Sequence, residues 1–409
     1  MATDFIVGLD TGSSAIKVGV VERQKNGEPL LRLVLKEPSQ GVRKGTVVDL
    51  ADASQAIARA LTEVKKLARG TLNNVYVNVG TPQVKTQHSR GITAVSRADA
   101  EIYQDDVDRV IRASQAVNLA PNRMIIHAIN REFIVDGVGD ILDPIGLSGS
   151  RLEVASLIID AFAPHIKSLM RAVELAGAQI GGLVFDPLLS SRAALGKNQK
   201  DLGVAVVDIG FGTTGLSVFE ECKLTGTAVF PVGSGNITND IAVGLKIPVE
   251  AAEAIKLKYG YALARDVNPK ETIELKQFIP DAKGTVSRRF VSEIIESRLA
   301  EIFEFVNNEL KLFGKAASLP GGVVLVGGGA KLPGLSELVK QELKLASQVG
   351  LLIGREGFAG SSQFTEFLED PEFVNVFGLL NWGMEQEGWS AKKHPTGFSV
   401  KQIMRYFLP

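Results

Sequence analysis

Two stretches of this chain repeat one pattern: Phe5-Ile-Val-Gly-Leu-Asp10-Thr-Gly12-Ser-Ser-Ala-Ile-Lys17-Val-Gly-Val-Val21 and Gly203-Val-Ala-Val-Val-Asp208-Ile-Gly210-Phe-Gly212-Thr-Thr-Gly-Leu-Ser-Val-Phe219. Each is an apolar run ending in an aspartate, then a turn of Gly, Ser or Thr, then a second apolar run. That order reads as a strand, a tight turn and a returning strand. The two aspartates stand 198 residues apart, which predicts a chain built from two related halves. A third glycine turn, in Val323-Val-Leu-Val-Gly327-Gly-Gly-Ala330, follows another apolar run and leads into a helix-like stretch from Leu335 to Leu343. Strands alternating with helices elsewhere make the expected class α/β.

Gly210-Phe-Gly212-Thr-Thr-Gly215 satisfies G-x-G-x-x-G letter for letter. A dinucleotide site, however, needs its last glycine to open a helix aimed at the pyrophosphate. Leu216 to Leu224 reads as a strand with a turn at Glu220 and Glu221, so the dinucleotide reading fails. Two facing hairpins offer another device, because backbone N–H groups in small-residue turns can cradle a phosphate chain. Asp10 and Asp208 would then face one space and hold Mg²⁺ through water, as suits a hard cation. Lys17, pointing inward, adds a positive charge toward the phosphates. Either hairpin alone reads as an ordinary turn; the pair, with the third glycine turn, reads as a nucleotide site.

Composition closes off other classes. Lys plus Arg number 45 against 46 Asp plus Glu, a net charge of −1, so no global basic field exists to bind nucleic acid. With 45% hydrophobic and 22% charged residues, a chain of this length can bury several cores. The one cysteine, Cys222, excludes a disulfide framework and a Cys-rich zinc site, fits a reducing compartment, and is expected to be a small buried hydrophobe. The first residues lack the basic flank and apolar stretch of a signal peptide. No run approaches the ~20 apolar residues of a spanning helix, so the expected place is the cytoplasm or a membrane surface.

Between the halves lies a self-contained α+β stretch. Strands are expected over Arg90 to Val95, Arg123 to Val135 and Leu152 to Ala161, with a helix over Asp105 to Ala116. A helix from Pro164 to Ala176, a buried strand from Gly181 to Phe185 and a helix from Pro187 to Leu195 then lead into the second half. Further helices are expected over Glu250 to Lys258 and Arg289 to Phe313.

The three glycine turns resemble the two phosphate motifs and the adenosine motif of the actin, Hsp70 and sugar-kinase superfamily. More closely, nearly the whole chain resembles the bacterial cell-division FtsA family. The resemblance rests on Asp143-Pro-Ile-Gly-Leu-Ser-Gly-Ser-Arg-Leu152, Val207-Asp-Ile-Gly210, Gly235 to Ile241, Ala251-Ala-Glu-Ala-Ile-Lys-Leu-Lys-Tyr-Gly260 and Val326-Gly-Gly-Gly-Ala330. It implies an actin-like (ribonuclease H-like) two-lobed α/β fold with an inserted small α+β (SHS2-type) subdomain and a C-terminal amphipathic helix. Its implied layout is a first lobe of residues 1–84, 163–202 and about 355–387, with the insert at 85–162. The second-lobe core takes 203–247 and 315–354, a small subdomain 248–314, a linker 388–398 and a membrane-targeting helix 399–409.

The resemblance also implies ATP and Mg²⁺ as ligands. Asp10, Gly12, Ser13, Ser14 and Lys17 fall on the first phosphate loop, and Asp208, Gly210, Gly212 and Thr213 on the second. Gly327, Gly328, Gly329 and Ala330 would pack on the adenosine, and Glu253 and Lys256, one helical turn apart, would contact ribose and base. Without the resemblance, Glu253 and Lys256 read as a solvated surface pair. Gly233-Ser234-Gly235-Asn236 departs from the family's Gly-Gly-Asn or Gly-Gly-Asp, which bears on phosphate contacts from Gly233, Gly235 and Asn236. Hydrolysis requires a group that orients water. Phe185-Asp186-Pro-Leu-Leu-Ser-Ser191 offers Asp186 but no Gln or Glu, and Asp186 before Pro187 reads first as a helix cap. The catalytic candidates are Asp10, Asp186 and Asp208, and the expected turnover is slow.

On a helical wheel Val400, Ile403, Met404, Phe407 and Leu408 gather on one side, with Lys401 and Arg405 on the other. That pattern fits a helix lying in an anionic membrane surface. Residues 391–409 carry Lys392, Lys393, Lys401 and Arg405 and no acid, a basic tail on a mildly acidic body. The resemblance implies self-assembly into a filament, other division proteins as partners, and the tubulin-like FtsZ, whose acidic tail would meet Arg288, Arg289 or Arg298. It places the protein peripherally on the cytoplasmic side of the cell membrane, at the midcell division ring. A PilM-like scaffold of a type IV pilus and a sugar or metabolite kinase are the alternative readings.

Overall fold

The first repeated segment folds as β1 (Phe5–Thr11) and β2 (Ala15–Arg23), an antiparallel pair in which Asp10 stands opposite Lys17. The computed structural model describes residues 5–68, 70–280, 282–354 and 357–389. β3 (Pro29–Pro38) continues the meander, and a two-residue pair, β4 (Val42–Arg43) and β5 (Thr46–Val47), leads into α1 (Leu50–Leu67). The Asp49 side chain caps α1 by accepting the Asp52 N–H, and the apolar face Ile57, Leu61 and Val64 packs down on the sheet. β6 (Val75–Val79) then runs parallel to β1.

The insert follows as β7 (Val84–Ala94), α2 (Gln104–Gln115), β8 (Arg123–Val135), β9 (Val138–Ile141) and β10 (Arg151–Phe162). Its four strands form a sheet of order β7-β10-β8-β9, with Val107 and Val110 of α2 packed among Phe133, Leu152 and Val154. The chain returns through α3 (Ala163–Leu175) to β11 (Ile180–Phe185), which pairs parallel with β6 and closes the first sheet in the order β11-β6-β1-β2-β3. α4 (Asp186–Ala194) and the short α5 (Lys197–Leu202) carry the chain into the second lobe.

There the pattern repeats. β12 (Val204–Ile209), β13 (Thr214–Glu220) and β14 (Lys223–Phe230) form a meander. α6 (Ser234–Leu245), α7 (Val249–Tyr259), the hairpin β15 (Thr272–Glu274) and β16 (Thr285–Ser287), and the long α8 (Arg288–Leu312) follow. β17 (Val323–Val326), α9 (Leu335–Leu343) and β18 (Ser347–Val349) complete a sheet of order β14-β13-β12-β17-β18. Both sheets are therefore three-stranded meanders extended by two parallel strands, which is the duplication expected from the paired motifs. α8 buries Ile295, Leu299, Ile302, Phe303 and Val306, each side chain contributing about 1.5–3 kcal/mol of transfer free energy. α6 packs on α7 and α8, so the helical subdomain draws on a helix that the sequence assigned to the lobe core.

Two sequence expectations fail here. The hairpin after Gly215 forms, but its turn lies one residue later, at Glu221 and Cys222, both with positive φ. Cys222 is consequently exposed at the tip of a turn, beside the carbonyls of α5, rather than buried within a strand. The last described helix is α11 (Val374–Gln386), which follows the one-turn α10 (Thr365–Leu368). Trp389, in the expected linker, is buried beside Arg23, its ring 5.8 Å from that guanidinium. α11 seals the first lobe by packing on β1, β2 and α4.

Candidate functional site

The C-terminal ends of β1 and β12 bring the two repeated aspartates to one cleft between the lobes, a cavity of ≈ 610 Å³. Switch points at strand ends are where α/β sheets form ligand sites. Asp10 and Lys17, opposite each other in the hairpin, form a buried ion pair at 3.0 Å. Burial opposes the Lys17 ammonium, but Asp10, Glu372 and Asp208 outweigh it and raise its pKa. Thr11 donates both its N–H, at 2.6 Å, and its hydroxyl, at 2.8 Å, to Asn78 Oδ1 on the neighbouring β6, which pins the turn.

Asp208 is held differently. Asn375 Nδ2 of α11 donates to its Oδ2 at 2.7 Å, and Ser190 Oγ of α4 lies 3.0 Å from the same oxygen and 2.8 Å from Asn375 Oδ1. Burial pushes the Asp208 carboxyl up, against the lowering effect of these two hydrogen bonds. Asp186 does not cap α4: it is the first residue of the helix, and its side chain turns into the cleft. Burial, with Asp10 and Asp208 nearby, pushes its carboxyl well above the usual range. Its Oδ1 is buried without a hydrogen bond, and a Cβ on Gly80 would collide with Oδ2.

The small residues are where close approach demands them. A Cβ on Gly212 would lie 2.7 Å from Ser13 Oγ and 3.0 Å from the Lys44 nitrogen, so the second hairpin can meet the first only as glycine. Gly12, Ser13, Ser14, Gly210, Gly212 and Thr213 all line the cleft. Gly327, Gly328 and Gly329 line it beside Asp208 and Ile209 of the second hairpin, while Ala330 is buried behind them. The Gly233 to Asn236 turn spends its donors internally. Gly233 N–H donates to Asn236 Oδ1 at 3.1 Å, and the Ser234 and Gly235 N–H groups donate to Gly210 O and Phe211 O, each at 2.8 Å. Of these residues Ser234 lines the cleft, so Gly233, Gly235 and Asn236 brace the second phosphate loop from behind.

Glu253 and Lys256 are not a solvated pair. They line the cleft, 2.7 Å apart, with Lys256 buried and its pKa lowered by burial despite Glu253. Sequence reasoning missed Asn78, Ser190, Asn375, Lys36, Lys331 and Glu372. Glu372 pairs with Lys36 at 2.6 Å and with Lys331 at 2.8 Å; burial raises its pKa, but Lys17, Lys331 and Lys36 together bring it down to about 2. Asn78 left one signal, a polar residue inside the apolar run Val75–Val79.

The cleft thus offers turns of small residues, the two buried lysines Lys17 and Lys256, and carboxylates from both lobes, a donor set fit for a phosphate chain with a hydrated cation. Among the described residues no group of three or more His, Cys, Asp or Glu side chains is placed to cage a metal directly. The predicted partner arginines are engaged within the chain. Arg288 pairs with Glu271 at 2.6 Å, Arg289 with Glu293 at 3.8 Å, and Arg298 forks onto Asp240 at 2.5 and 2.9 Å. Val400, Lys401, Ile403, Met404, Arg405, Phe407 and Leu408 lie outside the described residues. Among the described residues no helix is long and apolar enough to cross a membrane.

Comparison with known proteins agrees with this geometry. The family profile "Cell division protein FtsA" matches residues 205–378, and "SHS2 domain inserted in FTSA" matches 82–159. The chain is 34% identical over 399 residues to the cell-division protein FtsA of Bacillus subtilis (strain 168), covering 98% of this chain and 87% of that one. It is 30% identical over 393 residues to FtsA of Escherichia coli (strain K12), covering 94% and 92%. In fold it is similar to the PilM–PilN type IV pilus biogenesis complex, with a TM-score of 0.66 at 20% identity over 94% of this chain and 100% of that one. MreB 5 of Spiroplasma citri bound to AMPPNP gives 0.55 at 12% identity, covering 100% of both chains. With the duplicated sheets, the insert and a third of its residues shared over nearly its whole length, this chain belongs to the FtsA family of cell-division proteins.

Proposed function

We propose that this protein binds Mg²⁺·ATP in the interlobe cleft, assembles with copies of itself, and holds FtsZ filaments of the division ring to the inner face of the cytoplasmic membrane. The observation that carries the nucleotide part is the pair of hairpins presenting Asp10 and Asp208 to one cavity closed by a third glycine turn. Asp10 and Asp208 would hold the hydrated cation, the loop N–H groups and Lys17 the phosphates, and the Glu253–Lys256 wall the sugar and base. The bound cation supplies charge neutralisation for the phosphates. AMPPNP occupies the fold-related MreB 5 of Spiroplasma citri, which supports this ligand class. Asp186 is a group at the lobe junction that could orient water, and its carboxyl, pushed up by burial and by Asp10 and Asp208, fits slow turnover at best.

Attachment rests on the tail. Five apolar side chains at about 1–2 kcal/mol each must offset the cost of ordering a short helix, so a single copy binds weakly. A filament presents many tails together, and avidity makes the attachment firm. The small helical subdomain offers a stripe on α8 with Phe290 and Phe305 exposed and Arg298 between them, suited to an acidic peptide with apolar anchors. The test is sedimentation with anionic liposomes, with and without Mg²⁺·ATP, read by electron microscopy, for the whole chain and for a chain ending at Phe398. Filaments on liposomes only with the tail and nucleotide are expected. Equal binding by single subunits and filaments, or by the shortened chain, would overturn the proposal.

A further inference from the structure

A buried side chain of the insert reaches the start of the helix that carries Asp186 into the cleft. β11 is the edge strand of the first sheet, so its outward N–H groups have no strand to pair with. The Phe185 N–H is satisfied from the insert: it donates to His127 Nε2 of β8 at 3.0 Å, both residues buried. Accepting there puts the imidazole proton on Nδ1. Phe185 is the N-cap of α4, and the next residue is Asp186, whose carboxyl stands in the cleft.

The same cluster references the other end of α4. The His127 ring meets Trp382 of α11 edge-on, with centroids 5.4 Å apart. Arg192, in the last turn of α4, lies 5.2 Å over the Trp382 ring and pairs with Glu385 of α11. α4 is also the crossing between lobes, packed on α11 of the first and on β12, β13 and β17 of the second. The insert meanwhile touches the second lobe at a separate point, where Lys223 pairs with Asp140 at 2.6 Å and Glu132 at 3.6 Å. The insert is thus tied both to the start of α4 and to β14 of the second lobe.

We propose that His127 is a positioning residue that locks the insert to the start of the interlobe helix α4, so that nucleotide binding in the cleft that Asp186 lines and the placement of the insert are energetically linked. This rests on the cleft being the nucleotide site. Burial holds His127 down to about 4, so it stays a neutral acceptor at physiological pH and the link is not switched off by ordinary acidification.

The experiment uses the full chain and AMPPNP with Mg²⁺. Amide hydrogen exchange over β8 to β10 is followed with and without nucleotide for wild type, His127→Leu, which keeps bulk without an acceptor, and His127→Gln, whose amide oxygen can accept the Phe185 N–H. Nucleotide affinity is measured in parallel with a fluorescent analogue. Expected is a nucleotide-dependent change in insert protection in wild type, its loss in His127→Leu with affinity within about threefold, and its return in His127→Gln. A structural role alone would lower protection in both nucleotide states and leave the difference between them intact, which overturns the proposal. Nucleotide binding without any insert response in wild type also overturns it while leaving the ATP reading standing. Absence of nucleotide binding by wild type overturns both. Where His127→Leu fails to fold, His127→Phe, which keeps an aromatic ring without an acceptor, must show the same loss of response.

Discussion

The support beneath Asp208 makes the sharpest prediction. Its Oδ2 accepts from Asn375 Nδ2 at 2.7 Å and has Ser190 Oγ at 3.0 Å, while that hydroxyl is also 2.8 Å from Asn375 Oδ1. Ser190 has one proton and three acceptors in reach, the third being the Asp186 carbonyl of its own helix at 3.1 Å, so Asp208 shares it with both while Asn375 is present. Hydrogen bonds to a charged group are worth about 1.5–3 kcal/mol when lost. Groups that orient a cation-holding carboxylate typically cost 10- to 100-fold in affinity when removed. Asn375→Ala frees the Ser190 proton for Asp208, so part of the loss is recovered and about a tenfold weakening of Mg²⁺·ATP binding is expected. Ser190→Ala leaves the charged-group bond from Asn375 and should cost less. The double variant has no rescuer and should fall about 100-fold, more than the product of the singles. Equilibrium titration with a fluorescent ATP analogue at several Mg²⁺ concentrations measures all three, with thermal denaturation as the check on folding. Unchanged affinity in Asn375→Ala, or a double variant equal to the worse single, would refute the reasoning.

Further outcomes follow from other contacts. Asp186→Asn should be more stable than wild type at pH 7 without nucleotide or metal. A carboxyl whose folded pKa is raised destabilises progressively as pH climbs above its unfolded value near 3.9, by about 1.4 kcal/mol for each unit of the shift, so the gain should shrink to nothing toward pH 4 in thermal melts. Gly212→Ala places a methyl 2.7 Å from Ser13 Oγ and should weaken nucleotide binding at least about tenfold, with melting temperature lowered far less, as read by titration and calorimetry. Arg298→Ala should cost less than about 1 kcal/mol of stability, because its pair with Asp240 is partly solvated, yet reduce binding of an FtsZ-tail peptide about tenfold in fluorescence anisotropy. Asp240→Ala, which frees that guanidinium, should leave peptide binding intact or tighter.

What the sequence disclosed, and what it did not, divides by range. The two hairpins, α9 over Leu335–Leu343 and the buried face of α8 were readable because period, turn residues and capping are local. The partners of Asp208 were not, because Ser190 and Asn375 stand 18 and 167 residues from it along the chain and meet it only where α4 and α11 pack together beneath the cleft. Asp186 misled for a physical reason: Asp-Pro is a good cap sequence, but here the chain enters the helix one residue early, Phe185 takes the cap position, and the carboxyl is released into the cleft. Glu221 and Cys222 carry none of the Asn-Gly chemistry that marks a turn with two positive φ angles, so the exposed thiol left no trace in the sequence.

The duplication explains why the cleft is charged unevenly. The two sheets share one topology, and in both the aspartate is the last residue but one of the first strand and faces a residue of the second. In the first lobe that residue is Lys17; at the equivalent register of the second lobe it is Gly215. A Cβ on Gly215 would lie 3.3 Å from Pro187 Cγ, because α4 crosses the lobes there, so a lysine stem at that position would run into the interlobe helix. With no cross-strand cation available, Asp208 must be held by neutral donors, and Ser190 and Asn375 come from the two helices that pack there. One carboxylate is thus tied to a cation of its own hairpin, while the other is tied to the interlobe helix. A change in lobe angle therefore reaches the cleft through Asp208 and Asp186, both attached to α4, while Asp10 and Lys17 move together with the first lobe.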